Sequence, residues 1–121
     1  MADSAGILAQ VAIANAADPP DGTVIYTVPK GTQTSITSIV ICNTDGSDRD
    51  VDIAVLNAAS DISTSVAVAV KNYLFKGLSI TANTTKVISP GITLGQFNAI
   101  AVQCTVSSVV SLNIFGIENS Q

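Results

Sequence analysis

Four aspartates in the stretch NTDGSDRDVD (residues 43–52) come nearest to a binding chemistry: Asp45, Asp48, Asp50 and Asp52. Carboxylates gathered at one turn supply the oxygen ligands that a calcium ion takes. The spacing departs from an EF-hand loop, because Gly46 lacks two acids ahead of it and no Glu closes the series. Period-two alternation also sets Asp50 and Asp52 on the outward face of a strand. The series therefore reads more simply as the solvated end of a β-hairpin.

The rest of the inventory is thinner. The sequence has no histidine, which removes His-based triads, His metal sites and the usual near-neutral proton shuttle. GTQTS (residues 31–35) lacks the lysine of a phosphate loop and lies between strands rather than before a helix. Cys42 and Cys104 are too far apart in sequence for a zinc knuckle. Their spacing fits a disulfide clamping two sheets, as in secreted immunoglobulin domains. The absence of Trp and of a secretion leader favours two small buried hydrophobes instead. Asn83-Thr84-Thr85 matches a glycosylation sequon, which has meaning only in a secreted chain. The expectation is a non-enzyme with no catalytic residue and no cofactor.

Composition says what such a chain does with its surface. Of 121 residues, 12% are charged and 47% hydrophobic, against a usual charged fraction of about a quarter. Mean hydropathy is +0.49, the reverse of the balance in disordered chains. The net charge of −4 leaves no basic stripe for phosphates, so no nucleic-acid partner is expected. The opening residues carry no Lys or Arg and place Asp3 where a positive region should be, so no secretion leader is expected. Residues 87–117 contain no charge at all. Their polarity alternates and Pro90, Gly91 and Gly95 interrupt them, so they are not a membrane helix, and no membrane partner is expected. A run that avoids charge without spanning lipid must bury against protein.

The elements that position these residues read as strands. Val, Ile and Thr make up a third of the chain and favour extended backbone. Turn signals recur at Pro29-Lys30-Gly31, Asp45-Gly46, Ser89-Pro90-Gly91 and Gly95. Strands are expected over 23–28, 34–43, 49–56, 65–70, 72–80, 84–89, 97–105 and 108–118. The apolar IVIC (residues 39–42) predicts a central strand covered on both faces. Residues 51–55 alternate, with Val51, Ile53 and Val55 on one side and Asp50, Asp52 and Ala54 on the other. SVAVAV (65–70) is a strand with some helical potential. In the last strand Val110, Leu112 and Ile114 face inward and Ser111 and Asn113 outward. The fold class is all-β: a single antiparallel β-sandwich, jelly-roll or immunoglobulin-like, of seven to eight strands over residues 21–121.

Residues 1–20 differ, being Ala-rich and uncharged from Ser4 to Ala17. Asp3 and Ser4 suit the cap of a short helix; equally, Ile7, Ala9, Val11 and Ile13 alternate as a strand would. The segment is either a strand closing the sandwich or an arm docking on a neighbour, with Ile7, Leu8, Val11 and Ile13 as its contact residues. Tyr73 and Phe75, read as sharing one strand face, form a second candidate contact. The remaining aromatics, Tyr26, Phe97 and Phe115, are too scattered for a sugar-stacking platform.

The stretch LAQVAIANAADPPDGTVIYTVPKGTQTSITSIVICNT (8–44), with NYLFKGLSITANTTKVISPGITL (72–94) and FNAIAVQCTVSSVVSLNIFGIE (97–118), resembles small structural proteins of tailed-phage virions. The carriers of the resemblance are a YTVP-x-G-T strand and turn, then an S-I-x-x-x-N strand. These motifs are structural and transfer no catalytic residue. The resemblance implies a virion component assembled in the host cytoplasm: a capsid decoration (cement) protein on the major capsid protein, or alternatively a tail, baseplate or fibre module. It also implies a homo-oligomer, with a trimer at local threefold sites expected. A carbohydrate- or calcium-binding module is the reading from a different class.

Overall fold

The computed structural model describes residues 4–13, 22–57, 65–66, 68–106 and 108–120. Among these lie ten strands: β1 (Ser4–Ala12), β2 (Gly22–Thr27), β3 (Thr32–Asn43), β4 (Arg49–Leu56), β5 (Ser65–Val66), β6 (Tyr73–Ile80), β7 (Thr85–Ile88), β8 (Ile92–Leu94), β9 (Ala99–Cys104) and β10 (Val110–Ser120). One 3-10 turn spans Val70–Asn72.

The strands form two antiparallel sheets packed as a sandwich. Sheet A runs β1-β10-β3-β7, with β8 also on β3; sheet B runs β5-β2-β9-β4-β6. β7 and β8 pair with the same edge of β3, at residues 39–42 and 34–36. They are one strand broken by Ser89-Pro90-Gly91, where proline has no N–H to give to the ladder. Counted so, and with the two-residue β5 set aside, the strands stand 1-8-3-6 in one sheet and 2-7-4-5 in the other. That order is the jelly roll, one of the two expected topologies. The count of ten exceeds the eight expected strands because the proline break creates β8 and the N-terminal segment is itself a strand.

The core lies between the sheets. Ile39, Ile41, Leu112 and Ile114 of sheet A meet Val51, Ile53, Ile100 and Val102 of sheet B, all at most 1% exposed. Burying a side chain of this size contributes about 1.5–3 kcal/mol. Of the two readings of the N-terminus, the structure has the closing strand. β1 pairs with β10 from Ser4↔Glu118 to Ala12↔Ser111, and no helix forms there. Ile13 follows, fully buried, with its N–H on the Val110 carbonyl at 2.8 Å. Residues 14–20 of the expected arm lie outside the described residues.

Two expectations about strands are corrected. IVIC in β3 is not doubly covered: Ile39 and Ile41 face the core, while Val40 and Cys42 face outward and stay half-exposed. The strand buried on both faces is β9, all six residues of AIAVQC. SVAVAV also stops short of a full strand. Asn72 Oδ1 accepts the Ala69 N–H at 2.9 Å and the Asn72 N–H reaches the Ala69 carbonyl at 2.9 Å. These bonds close a turn in place of extended backbone, and Val70 stands 90% exposed on it.

Buried polar groups fix how the sheets meet. Tyr26 of β2 donates its hydroxyl to the Glu118 carboxylate of β10 and pairs with Thr34 Oγ1 of β3 at 2.8 Å. Thr34 and Glu118 are themselves register partners, so one phenol ties sheet B to two strands of sheet A. Burial, and the hydrogen bond and charge of Glu118, push the Tyr26 pKa far above its ordinary value. At the opposite end, fully buried Asn43 donates Nδ2 to the carbonyls of Ser47 (2.9 Å) and Ile80 (3.0 Å), and its Oδ1 accepts the Asp45 N–H at 2.9 Å.

Candidate functional site

The four aspartates of residues 45–52 do not converge. Asp45 accepts Arg49 Nε at 2.7 Å, and that guanidinium holds its carboxyl below the usual range. Asp48 caps the Ala82 N–H at 2.9 Å across the turn. Asp52 accepts Lys76 Nζ at 2.9 Å and the Gly77 N–H at 2.8 Å. Asp50 is exposed on the same strand. Among the described residues no three His, Cys, Asp or Glu stand close enough to share a metal ion. The hairpin expected here is corrected: β3 and β4 lie in different sheets, so residues 44–48 are a connection that crosses from sheet A to sheet B, with Asp50 exposed just beyond it.

The cysteines are both free. Cys104 is buried in the core at 1% exposure, whereas Cys42 lies on the outer side of β3, between inward-facing Ile41 and Asn43. Cys104 therefore belongs to the core, as the small-hydrophobe reading has it, and Cys42 does not.

Tyr73 and Phe75 do not share a face. Their register partners on β4 are Ala54 and Ile53, a shift that leaves Leu74 as an extra residue. The bulge reverses the alternation. Phe75 packs against the core, while Tyr73 lies on the outer side of sheet B with Lys76 Nζ 5.2 Å from its ring centre. A second bulge sets Lys76 and Gly77 opposite Asp52. Gly77 takes φ +68°, which a residue with a Cβ reaches only with strain.

The N-terminal candidates divide likewise. β1 has a bulge between Ile7 and Ala9. Before it Ile7 faces out, 58% exposed. After it Ala9 and Val11 face the core, with Leu8 packed beside them. Ile13 is fully buried, which corrects its place among the contact residues.

The register then places Ile7 on a larger surface. On the outer side of sheet A, Gln10, Asn113, Val40 and Val87 lie side by side across four strands. Beside them stand Ala12, Ser111, Cys42 and Thr85. On the other flank come Ile7, Phe115 and Ser38, then Ala5, Ile117, Ser35 and Thr93. None of these residues is charged. Val87 is 62% exposed and Ile117 37%. Asn113 Oδ1, near the middle, has no hydrogen-bond partner. Four strands about 4.8 Å apart and some nine residues long present roughly 600 Å². About half of these residues are polar, so the face is uncharged and of mixed polarity, with Ile7, Val87 and Ile117 as its exposed large apolar side chains. Phe115, Ile117 and Val40 were not expected here, although the alternation that sends Ser111 and Asn113 outward continues to Phe115 and Ile117.

Sheet B is different outside. Asp50, Asp52 and Lys76 charge its outer side. Val68, 5% exposed, covers the small residues Gly22, Ala54 and Ala101. Among the described residues no helix is long and apolar enough to cross a membrane. No family model matches the chain, and no curated protein is significantly similar to it.

Proposed function

We propose that this chain is a structural subunit of a phage virion, a capsid decoration protein that seats the outer face of sheet A on the major capsid protein and holds the shell by non-covalent contact. The observation that carries the reading is the four-strand face without a charged side chain. Burying it against protein leaves no ion stripped of water, a step that is otherwise costly. The jelly-roll order is compatible with this role but does not choose it, since viral shells and carbohydrate-binding domains both use it. The resemblance of residues 8–118 to virion proteins supplies the phage context.

A face of roughly 600 Å² is smaller than the ~800 Å² per partner of a standard stable complex. One copy therefore binds modestly, and the shell's repetition turns many modest contacts into lasting ones. On this reading the protein has no substrate, cofactor, membrane or nucleic-acid partner, and it is found in the virion after assembly in the host cytoplasm.

The test is reconstitution on heads lacking this protein. Added protein co-sediments at hundreds of copies per particle and raises the temperature at which heads release their contents. A few to a few dozen copies, confined to tailed particles, would move the protein to the tail, baseplate or fibre. Heads equally robust with and without it would sink the cement role.

A further inference from the structure

Among the described residues the sandwich has four sheet edges, and three are blunted. β5 is two residues long. β6 carries two bulges and the charged Lys76. The β7–β8 edge is broken by Pro90 and carries Lys86. Short strands, charges, prolines and bulges are the devices by which sheets avoid pairing edge to edge. β1 is nine residues long with no charge and no proline. Among the described residues no strand pairs with its far side. Its one bulge, at Leu8, leaves residues 4–7 and 9–12 each in unbroken register with β10.

We infer that β1 pairs antiparallel with β1 of a second copy, joining two sheets A into one continuous sheet across a twofold axis. The occupant is a second copy for three reasons. A twofold contact sets residue i against j and j against i, so an edge carrying one sign of charge would repel itself; β1 is uncharged, while the chain as a whole carries −4. A head-to-tail ring, such as a trimer, would instead set β1 against a different edge, and each other edge is short, charged or broken. Finally, edge-to-edge pairing sets two outer faces side by side. The combined face, of roughly 1,200 Å², passes the ~800 Å² per partner that one face falls short of. The first two reasons stand without the virion reading; the third, the doubled face, rests on it.

The test is light scattering of the full chain in solution across a concentration series, with hydrogen exchange of the β1 amides. Wild type is expected at twice the 12.3 kDa chain mass, with β1 amides that exchange more slowly as concentration rises. Ile7 and Gln10 are both exposed, so Ile7→Lys/Gln10→Lys should keep the fold. It should raise the dimer Kd roughly tenfold or more, through like charges across the twofold. Val87→Lys, at the opposite margin of the face, should leave the dimer unchanged. A monomer at every concentration, a trimer, or a dimer that survives the double substitution would each overturn the inference. So would β1 amides protected only on phage heads, which would assign the edge to a strand of the shell protein. Should the double variant not fold, the concentration dependence of wild-type exchange decides alone. None of these results decides the shell reading, which Val87→Lys tests on particles.

Discussion

The two sheets of this sandwich use the same strand-forming residues and end in opposite surfaces. The outer side of sheet B is partly buried and carries charge: Val68, Ala54 and Ala101 are buried around one small pocket, and Asp52 spends its two oxygens on Lys76 and Gly77. Among the described residues, sheet A carries no charge on its outer side, from Ala5 and Ile7 on β1 to Val87 on β7. A protein that had only to be soluble would gain by placing charge on both. On the proposed reading, the difference is that the outer side of sheet A is finished by a partner.

The largest effect should come from charging that open face. Val87→Lys with Ile117→Lys replaces two exposed side chains, so stability should stay within about 0.5 kcal/mol of wild type. Binding to heads lacking the protein should fall at least about a hundredfold, since each contact would bury an unpaired ammonium. Co-sedimentation together with a melting curve checks both halves. Unchanged binding would erase the distinction between the faces.

The converse change belongs to sheet B. Val68→Ala uncovers Ala54 and Ala101 and should cost about 2 kcal/mol in urea unfolding. Val70→Lys, two residues on and 90% exposed, should change stability by less than about 0.5 kcal/mol. Neither should alter binding to heads. If Val68→Ala weakened binding without lowering stability, sheet B would be the docking side.

Much of this was legible in the chain, and the failures share a cause. Strand positions, the outward Asp50 and Asp52, and the inward Val110, Leu112 and Ile114 follow from alternation, which is local. IVIC and AIAVQC look alike as strings. Only the placement of the two strands in their sheets decides that β9 is buried on both faces and β3 on one. Period two carried across Leu74 puts Tyr73 and Phe75 on one face, yet a bulge is set by the partner strand. Cys42 and Cys104 had the spacing of a bridge, but spacing carries no direction. The open face itself is assembled from four strands distant in sequence. Its signal, the charge-free run 87–117, says that something is buried without saying against what.

The comparison also requires that the two sheets unfold as one body. Tyr26→Phe removes the hydroxyl that joins β2 to Thr34 and Glu118 and should cost about 1–2 kcal/mol. It should shift both sheets together in hydrogen exchange; loss of protection in sheet B alone would show them to be separate units. The pH dependence has a definite sign. The folded protein holds the Tyr26 proton well above 10.0, the value of an unhindered tyrosine. Its contribution is complete below pH 10 and is lost as pH rises beyond it, because the unfolded chain releases the proton first. Wild type should lose stability above about pH 10 more steeply than Tyr26→Phe.

The smallest effect concerns the charge that sheet B does carry. Lys76 pairs with Asp52 at 2.9 Å, yet its side chain is 63% exposed against 18% for Asp52. Solvent screens such a pair, so Lys76→Met should lower stability by less than about 0.5 kcal/mol, and by less still in high salt. Asp52 keeps its bond to the Gly77 N–H, so the bulge should survive the change. What Lys76→Met does alter is the character of the face: beside Tyr73 it substitutes a thioether for an ammonium, making the outer side of sheet B resemble that of sheet A. If charge is what keeps sheet B free of partners, the variant should self-associate more than wild type at equal stability. Analytical ultracentrifugation in low salt would detect this. Identical sedimentation would mean that the covering by Val68, rather than the ion pair, keeps that side closed.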